Sequence, residues 1–553
     1  MGKLKKSGFL EGAFIATVCI IITKILGVLY VIPFYNIIGE KGGTLYGYAY
    51  NIYNIFLIIS SAGIPLAISK LTSEYATLKQ DNKKIRMYQI STKVIMIFSV
   101  VSFLICFLFA PLFAKVIVGD LTGGNSISDV SLVIRTISFA LLIIPMLSIK
   151  RGYLQGHTYI KEPSISQIIE QVVRIAIIIV GSYLCVKVFH LPVKYAIVVS
   201  TLAAAAGGLI TYLYLDIITR RNKKQLGLDI AVKENKKDDR EIIKKIITYS
   251  IPFIVINLVN NATTFVDMVL LIKTLPKLGF SAATTEFVGS VFTTWGVKIN
   301  TIITSIANGL IISLIPNMVK DFNEKNTESM NQTFNKCLKI ILLIIAPLAI
   351  FMSVMSTSMW NTFYSPNEIG SLIIKFNIIV TIFDCLYIVV NSLLQSINAE
   401  KIIYKSVIIG QFVNVALDIP FMFLFDKLGW PAYYGAIAAT LMCFIISTGM
   451  SMHYLNKEMH LNYKETIASI PRFVISSIIL IIMLKLTKTI LPVNSASKLT
   501  QLTNLLIAGV VCGGTYILIN FKSIISILPE KLVKKLKLSE MIINKEENNE
   551  KRS

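Results

Sequence analysis

The sequence predicts an all-α polytopic membrane protein. Fourteen transmembrane helices are expected, as two six-helix lobes in parallel repeat around a central cavity, followed by two extra C-terminal helices. Three observations predict this. Of 553 residues, 54% are hydrophobic and only 15% charged, with a mean hydropathy of +0.69; a soluble domain carries about 25% charged residues. The apolar residues fall in runs of roughly 20 or more, the length that crosses a hydrocarbon core. One polar-studded stretch is also written twice.

The runs are taken in order. On the 20-residue criterion there are about fourteen, at 10–33, 46–69, 90–112, 130–150, 164–186, 195–217, 247–272, 287–315, 337–360, 371–395, 404–425, 432–455, 468–490 and 501–521. An even number puts both termini on one side. Loops after the even-numbered spans, with both tails, hold about 39 of the 54 Lys and Arg, and the opposite loops about nine. That bias predicts cytoplasmic termini in a bacterial cell membrane. Prolines at 33, 65, 111, 145, 252, 316, 347 and 420 mark expected breaks and bends.

The repeated stretch is LQGHTYIKEPSISQIIEQVVRIA at 154–176, matched without a gap by LQSINAEKIIYKSVIIGQFVNVA at 394–416, a shift of 240. Gln155, Lys161, Ser166 and Gln171 fall on Gln395, Lys401, Ser406 and Gln411, whereas Glu170 and Arg174 become Gly410 and Asn414. A weaker match, shifted by 246, sets Gly63 on Gly309. The expected organisation is an N-lobe at 1–217 with spans 1–6, a basic cytoplasmic linker at 218–245, a C-lobe at 246–455 with spans 7–12, spans 13–14 at 467–521, and a basic tail at 522–553.

Composition narrows the function. The net charge of +23 does not imply nucleic-acid binding, because the basic residues lie in short loops between spans. The seven cysteines are spread over separate apolar segments with no CxxC, and the four histidines are scattered, so neither disulfides nor a metal cluster is expected. The N-terminal run at 9–33 is too long for a signal peptide and contains Lys24, which makes it a retained span. No GxxxxGK[ST] pattern occurs, so no nucleotide cofactor is expected; membrane potential or a coupling cation is the expected energy source.

Ionisable residues inside spans are the candidate functional groups, since each needs a partner or a watery cavity. Lys24 in span 1 and Lys298 in span 8 have no acid within a turn and point to a cavity for an anion, for which an ammonium is a compact point charge. Asn51 and Asn300 are candidate sugar contacts or helix-to-helix bonds. Glu170 and Arg174, at i and i+4, can pair on one face of span 5 as a structural glue or a gating element. Arg135 in span 4 serves as an ion pair or snorkels outward, as Lys375 does. Asp267, Asp384 and Asp418 either neutralise the lysines or bind a coupling cation.

Taken together, RGYLQGHTYIKEPSISQIIEQVVR at 151–174, TKILGVLYVIPF at 23–34, AGIPLAISKLTSEY at 62–75 and the stretch from Lys298 to Pro316 resemble the multidrug/oligosaccharidyl-lipid/polysaccharide (MOP) exporter superfamily. Within it, they are similar to the polysaccharide-transporter and stage V sporulation protein B-like branch, which includes YtgP- and MurJ-type lipid II flippases. The resemblance spans essentially the whole chain. It implies a flippase, not an enzyme, moving an undecaprenyl-diphosphate-linked sugar, foremost lipid II, from the inner to the outer leaflet. The implied partners are that lipid-linked oligosaccharide and membrane lipids, with a monomer working beside cell-wall synthases. Two basic positions of the family fall on Lys24 and Lys298; a later arginine of span 1 falls on Tyr30. Spans 13 and 14 are implied to form a groove for the lipid tail. A cation-coupled drug exporter predicts an acid-lined cavity instead, and an enzyme predicts an acid/base cluster in large outer loops, which here are short.

Overall fold

The computed structural model describes residue 4 and residues 9–61, 63–119, 124–229, 236–397, 399–492, 495 and 497–527. Side chains of 9–14, 236–238, 252–253, 256, 260, 262 and 312–317 fall outside this description, as do Asp120 and the tail from 528 onward. Among the described residues every regular element is helical, so the protein is an all-α polytopic membrane protein. Among the described residues twelve helices are long and apolar enough to cross a membrane, and Ile15–Leu29 adds a shorter apolar helix.

The first part of the chain runs as α1 (Phe9–Leu29), α2 (Val31–Ser61), α3 (Ile64–Thr77), α4 (Asp81–Leu108), α5 (Ala110–Val118), α6 (Ile127–Ser138), α7 (Ala140–Gly156), α8 (Lys161–Tyr183) and α9 (Val193–Arg221). Then come the short α10 (Lys223–Leu226), the long α11 (Lys236–Thr274), α12 (Ala282–Ser290) and α13 (Gly296–Asn323). The rest is α14 (Thr327–Ile340), α15 (Ala346–Val354), α16 (Ser356–Phe363), α17 (Glu368–Ser396), α18 (Glu400–Lys427), α19 (Tyr433–Met459), α20 (Lys464–Ile490), α21 (Lys498–Ala508), α22 (Gly514–Ile519) and α23 (Phe521–Ile527). The chain packs as two compact units, residues 1–299 with 411–439, and residues 300–410 with 440–553.

Prolines sit where a new helical segment starts or a helix bends, because proline lacks the N–H that a helix interior needs. Pro65, Pro111 and Pro347 occupy first turns, while Pro145 and Pro420 lie inside α7 and α18. α2 is kinked at Gly39, whose positive φ of 65° favours glycine, and the helix covers the end of expected span 1 and most of span 2.

The linker expected at 218–245 is largely helical. RRNKK at 220–224 finishes α9 and enters α10, and Lys236 opens α11. Opposite charges fasten this region: Arg86 bonds Asp239 through two nitrogens, at 2.6 and 2.5 Å, and Lys245 meets Glu74 at 3.0 Å. The Arg86 bonds hold the Asp239 carboxyl below its usual range. Buried Lys150 is matched by Asp216 at 2.7 Å, and the Tyr153 hydroxyl caps the α10 carbonyl of Leu226. Behind them Ile68, Leu71, Tyr75, Leu147, Leu154 and Ile246 form one apolar cluster. Elsewhere α4 turns Ile97, Phe98, Val101 and Leu104 outward, as lipid-facing side chains do.

The repeat is visible bond by bond. In the first copy Tyr159 N–H donates to Leu154 O at 3.0 Å; 240 residues later Ala399 N–H donates to Leu394 O at 2.9 Å. Ser166 Oγ bonds Pro163 O, and Ser406 Oγ bonds Ile403 O. Each copy is a helix end, a tight turn and a new helix. The weaker match diverges: Gly63 caps α3 with a φ of 76°, whereas Gly309 lies inside α13.

Gly152 and Gly156, spaced as small-xxx-small, let α7 lie against α3. A Cβ on Gly152 would stand 2.6 Å from Pro65 O and 2.9 Å from its Cα, backbone that cannot swing aside. Gly152→Ala is therefore expected to destabilise the protein by about 1–3 kcal/mol, read as a lowered melting temperature in detergent. Ile97→Ala on the lipid face is expected to leave it unchanged.

Candidate functional site

Lys24 and Gly27 lie at three-residue spacing on the last turns of α1, and Tyr30 follows three residues later, just past its end. Gly27 is where α8 approaches: a Cβ there would lie 3.3 Å from Gln171 Nε2. Gln171 in turn accepts a hydrogen bond from the Arg174 guanidinium. Lys24 thus sits one turn from a contact that leads directly to Arg174.

Arg174 lies deep in the first unit yet keeps accessible surface. Tyr30, Tyr46, Tyr50 and Glu170 are within its electrostatic reach. The Tyr30 and Tyr46 hydroxyls are 3.4 Å apart, and the Lys298 ammonium lies 5.3 Å from the centre of the Tyr30 ring. Tyr46 also packs on Tyr50 at 4.4 Å and stacks on Trp295 at 5.9 Å. The result is a cluster of phenols with the Arg174 and Lys298 cations both near Tyr30. Among the described residues no carboxylate is in salt-bridge distance of Lys24, Arg174 or Lys298.

The intrahelical Glu170–Arg174 bond expected from the sequence is replaced by another. Glu170 accepts from Arg151 at 2.8 Å, and Arg151 also donates to Ser166 Oγ at 2.8 Å. Arg151 ends α7 beside the start of α8, so it reaches Glu170 across the turn. That leaves the Arg174 charge facing the tyrosines. Arg135 is exposed and donates to Phe107 O at 3.3 Å. Asn51 is buried, its amide donating to Thr293 Oγ1 at 2.9 Å and to Met268 sulfur at 3.4 Å, so it joins helices. Asn300 and Asp384 belong to the second unit.

A second constellation carries the opposite sign. Asn414 and Asp418 are one turn apart on α18, and Asp267 faces them from α11. Asn414 Nδ2 donates to Asp267 Oδ1 at 2.8 Å. Asp418 is fully buried, meets the Asp267 carboxyl, and has no donor on either oxygen; Asn414 Oδ1 is likewise unpartnered. Neither aspartate neutralises a lysine here. Three orphaned buried oxygens beside a fourth are a ligand set for a proton or a small hard cation. Among the described residues no group of three or more His, Cys, Asp or Glu could hold a metal ion, so this set offers two carboxylates and an amide only.

A third group joins three elements. Both oxygens of buried Glu286 accept from Asn125 N–H at 3.0 Å, and Oε2 also from Asn125 Nδ2 at 3.1 Å. Gly124 is required beside it, since a Cβ there would fall 2.6 Å from the carboxyl carbon. Nearby, Gly43 and Gly47 of α2 admit Trp295 and Thr294 from the π-helical turn at 291–295. Sequence reasoning missed Arg151, Glu286, Trp295 and the tyrosines. Only the tyrosines had a legible signal: 46, 50 and 53 share one helix face.

Residues 9–321 match the family described as Polysaccharide biosynthesis protein. The chain is 28% identical over 499 residues to the "Lipid II flippase MurJ" of Bacillus subtilis (strain 168), covering 88% of this chain and 89% of that protein. It is 23% identical over 421 residues to the "Stage V sporulation protein B" of the same organism, covering 75% and 78%. A solved structure, "Lipid II flippase MurJ, inward closed conformation", shares the fold with a TM-score of 0.61 at 14% identity, covering 91% of this chain and 99% of that one. More than half of the chain lies within the family match, and this protein belongs to the polysaccharide biosynthesis protein family, as a membrane transporter of the MOP superfamily.

Proposed function

We propose that this protein is a flippase that carries an undecaprenyl-diphosphate-linked sugar, lipid II in the first instance, from the inner to the outer leaflet for cell-wall synthesis. The observation that carries this reading is the pair of cations near Tyr30, Arg174 and Lys298, neither of which has a carboxylate in salt-bridge distance among the described residues, with Lys24 six residues before Tyr30. A diphosphate cannot cross hydrocarbon without such groups, because burying its charge is prohibitive. Arg174 offers a bidentate fork, Lys298 a point charge, and the phenols supply hydroxyls for further phosphate or sugar oxygens. The likeness to the B. subtilis flippase supports the same substrate class.

Movement is proposed to follow alternating access, with the expected lobes 1–217 and 246–455 as the moving bodies. The contact of α2 with the 291–295 turn, secured by Glu286 on Asn125, is the proposed outward closure. Membrane potential drives negative charge outward at about 2.3 kcal/mol per charge per 100 mV. The Asp267–Asn414–Asp418 group is the proposed seat of a coupling proton or monovalent cation, held by the orphaned Asp418 and Asn414 oxygens and by Asp267.

Lys298→Ala and Arg174→Ala are each expected to lower the appearance of lipid-linked sugar at the outer leaflet ten- to a hundredfold, the value of a charged hydrogen bond of about 1.5–3 kcal/mol, with normal membrane insertion. Retained flux in both would overturn the site. Asp418→Asn is expected to abolish sodium- or pH-dependent shifts in melting temperature that the wild type shows; identical shifts in the variant would remove the cation site. Glu286→Gln is expected to raise the labelling of cysteines placed on α2 by an impermeant outside reagent, and unchanged labelling would deny it a role in closure.

A further inference from the structure

Along α2, Tyr46, Tyr50 and Tyr53 fall at i, i+4 and i+7, and Asn54 follows Tyr50 by one turn, so all four share one side of the helix. Measured contacts join this side to the cation on α13. The Lys298 ammonium lies 5.3 Å from the centre of the Tyr30 ring, and the Tyr30 and Tyr46 hydroxyls are 3.4 Å apart. Tyr46 packs on Tyr50 at 4.4 Å, and Tyr50 meets Tyr53 edge-on at 5.8 Å. The adjoining side of α2 is locked in place: Asn51 bonds Thr293 at 2.9 Å, and a Cβ on Gly47 would stand 2.8 Å from Thr294 Oγ1. The tyrosines are therefore carried on a fixed stretch of backbone.

An aromatic stripe at helical spacing is ordinarily core, and two of the three rings are core: Tyr46 is 1% exposed and Tyr53 5%. Tyr50 between them keeps accessible surface, and so does Asn54. Among the described residues neither the Tyr50 hydroxyl nor the Asn54 amide makes a hydrogen bond. Polar groups that only join helices bond across them, as Asn51 does. A partly open ring, braced by a ring on each side and followed one turn later by an idle amide, is instead the makeup of a carbohydrate seat. The negative face of the ring attracts the C–H face of a pyranose, and an amide both donates to and accepts from hydroxyl and acetamido groups. A sugar bonded directly to a diphosphate at Arg174 and Lys298 has to lie beside those cations. Tyr50 is the third ring in the run of contacts that starts at Lys298.

We propose that Tyr50 and Asn54 seat the first pyranose ring joined to the diphosphate, with the sugar's C–H face on the Tyr50 ring and its polar substituents on the Asn54 amide. This seat rests on Arg174 and Lys298 being the diphosphate site, and adds to it a preference for the glycosylated lipid over the bare carrier. The full chain in detergent micelles is titrated with undecaprenyl diphosphate and with the same lipid bearing one N-acetylated sugar, and bound lipid is read by native mass spectrometry. Wild type is expected to bind the glycosylated lipid about three- to tenfold more tightly, the scale of one ring contact with a hydrogen bond. Tyr50→Leu, which keeps apolar bulk without a ring, is expected to abolish that preference, Asn54→Ala to lower it and Tyr50→Phe to keep it. Lys298→Ala is expected to weaken both lipids and leave their ratio unchanged. A wild type that binds both lipids alike, or a Tyr50→Leu protein with the wild-type ratio, would overturn the sugar seat and leave the diphosphate site standing. A wild type that binds neither lipid would overturn the diphosphate site, and the seat with it. Should Tyr50→Leu fold poorly, Asn54→Ala decides, and an unchanged ratio there overturns the seat.

Discussion

A charge inside a membrane bundle must meet a counter-charge, a hydrogen-bonding shell or water, because hydrocarbon offers none of them. The interior of the first unit is arranged around that constraint. Arg151 satisfies Glu170, and with it the acid that would otherwise quench Arg174. Arg174 then rests on Gln171 and faces phenols, which stabilise a cation without cancelling it. Lys298 is held over the Tyr30 ring in the same way. Two positive charges are thereby left without a carboxylate in salt-bridge distance among the described residues, which is what the proposed anion site requires.

The internal repeat lets one backbone plan serve two electrostatic purposes. The turn and its hydrogen bonds are conserved between the copies, down to Ser166 and Ser406, which cap the same internal carbonyl position. At the position of Arg174 the second copy has Asn414, which is too short and neutral to act on an anion and instead binds Asp267. Glu170 is matched by Gly410, where a Cβ would fall 1.9 Å from Ser447 Oγ, so no acid fits there. The first copy thus presents cations, and the second supports a carboxylate pair.

Much of this was legible in the chain. Hydropathy and spacing yield the all-α membrane fold, and the gapless match at 154–176 and 394–416 predicts two like turns. Lys24, Lys298 and Arg174 are visible as ionisable residues within apolar runs. The partner of Glu170 was not legible: i,i+4 spacing favours Arg174, but Arg151 lies nearer once α7 folds back on α8, a tertiary fact. The same holds for Asp267 and Asp418, whose sequence separation hides that they meet each other and no lysine. α11 already starts at Lys236, where a loop was expected, and its first turn is fastened by Asp239 to Arg86, a tertiary pairing that sequence periodicity does not carry.

These cations are proposed to serve a lipid-linked diphosphate sugar. The direct measurement is expression of this protein in a bacterium depleted of its own lipid II flippase, with growth and wall synthesis followed. Rescue by the wild type, and none by Lys298→Ala at equal membrane levels, is the predicted result. Failure of the wild type to rescue, with the protein present in the membrane, would contradict lipid II as its substrate.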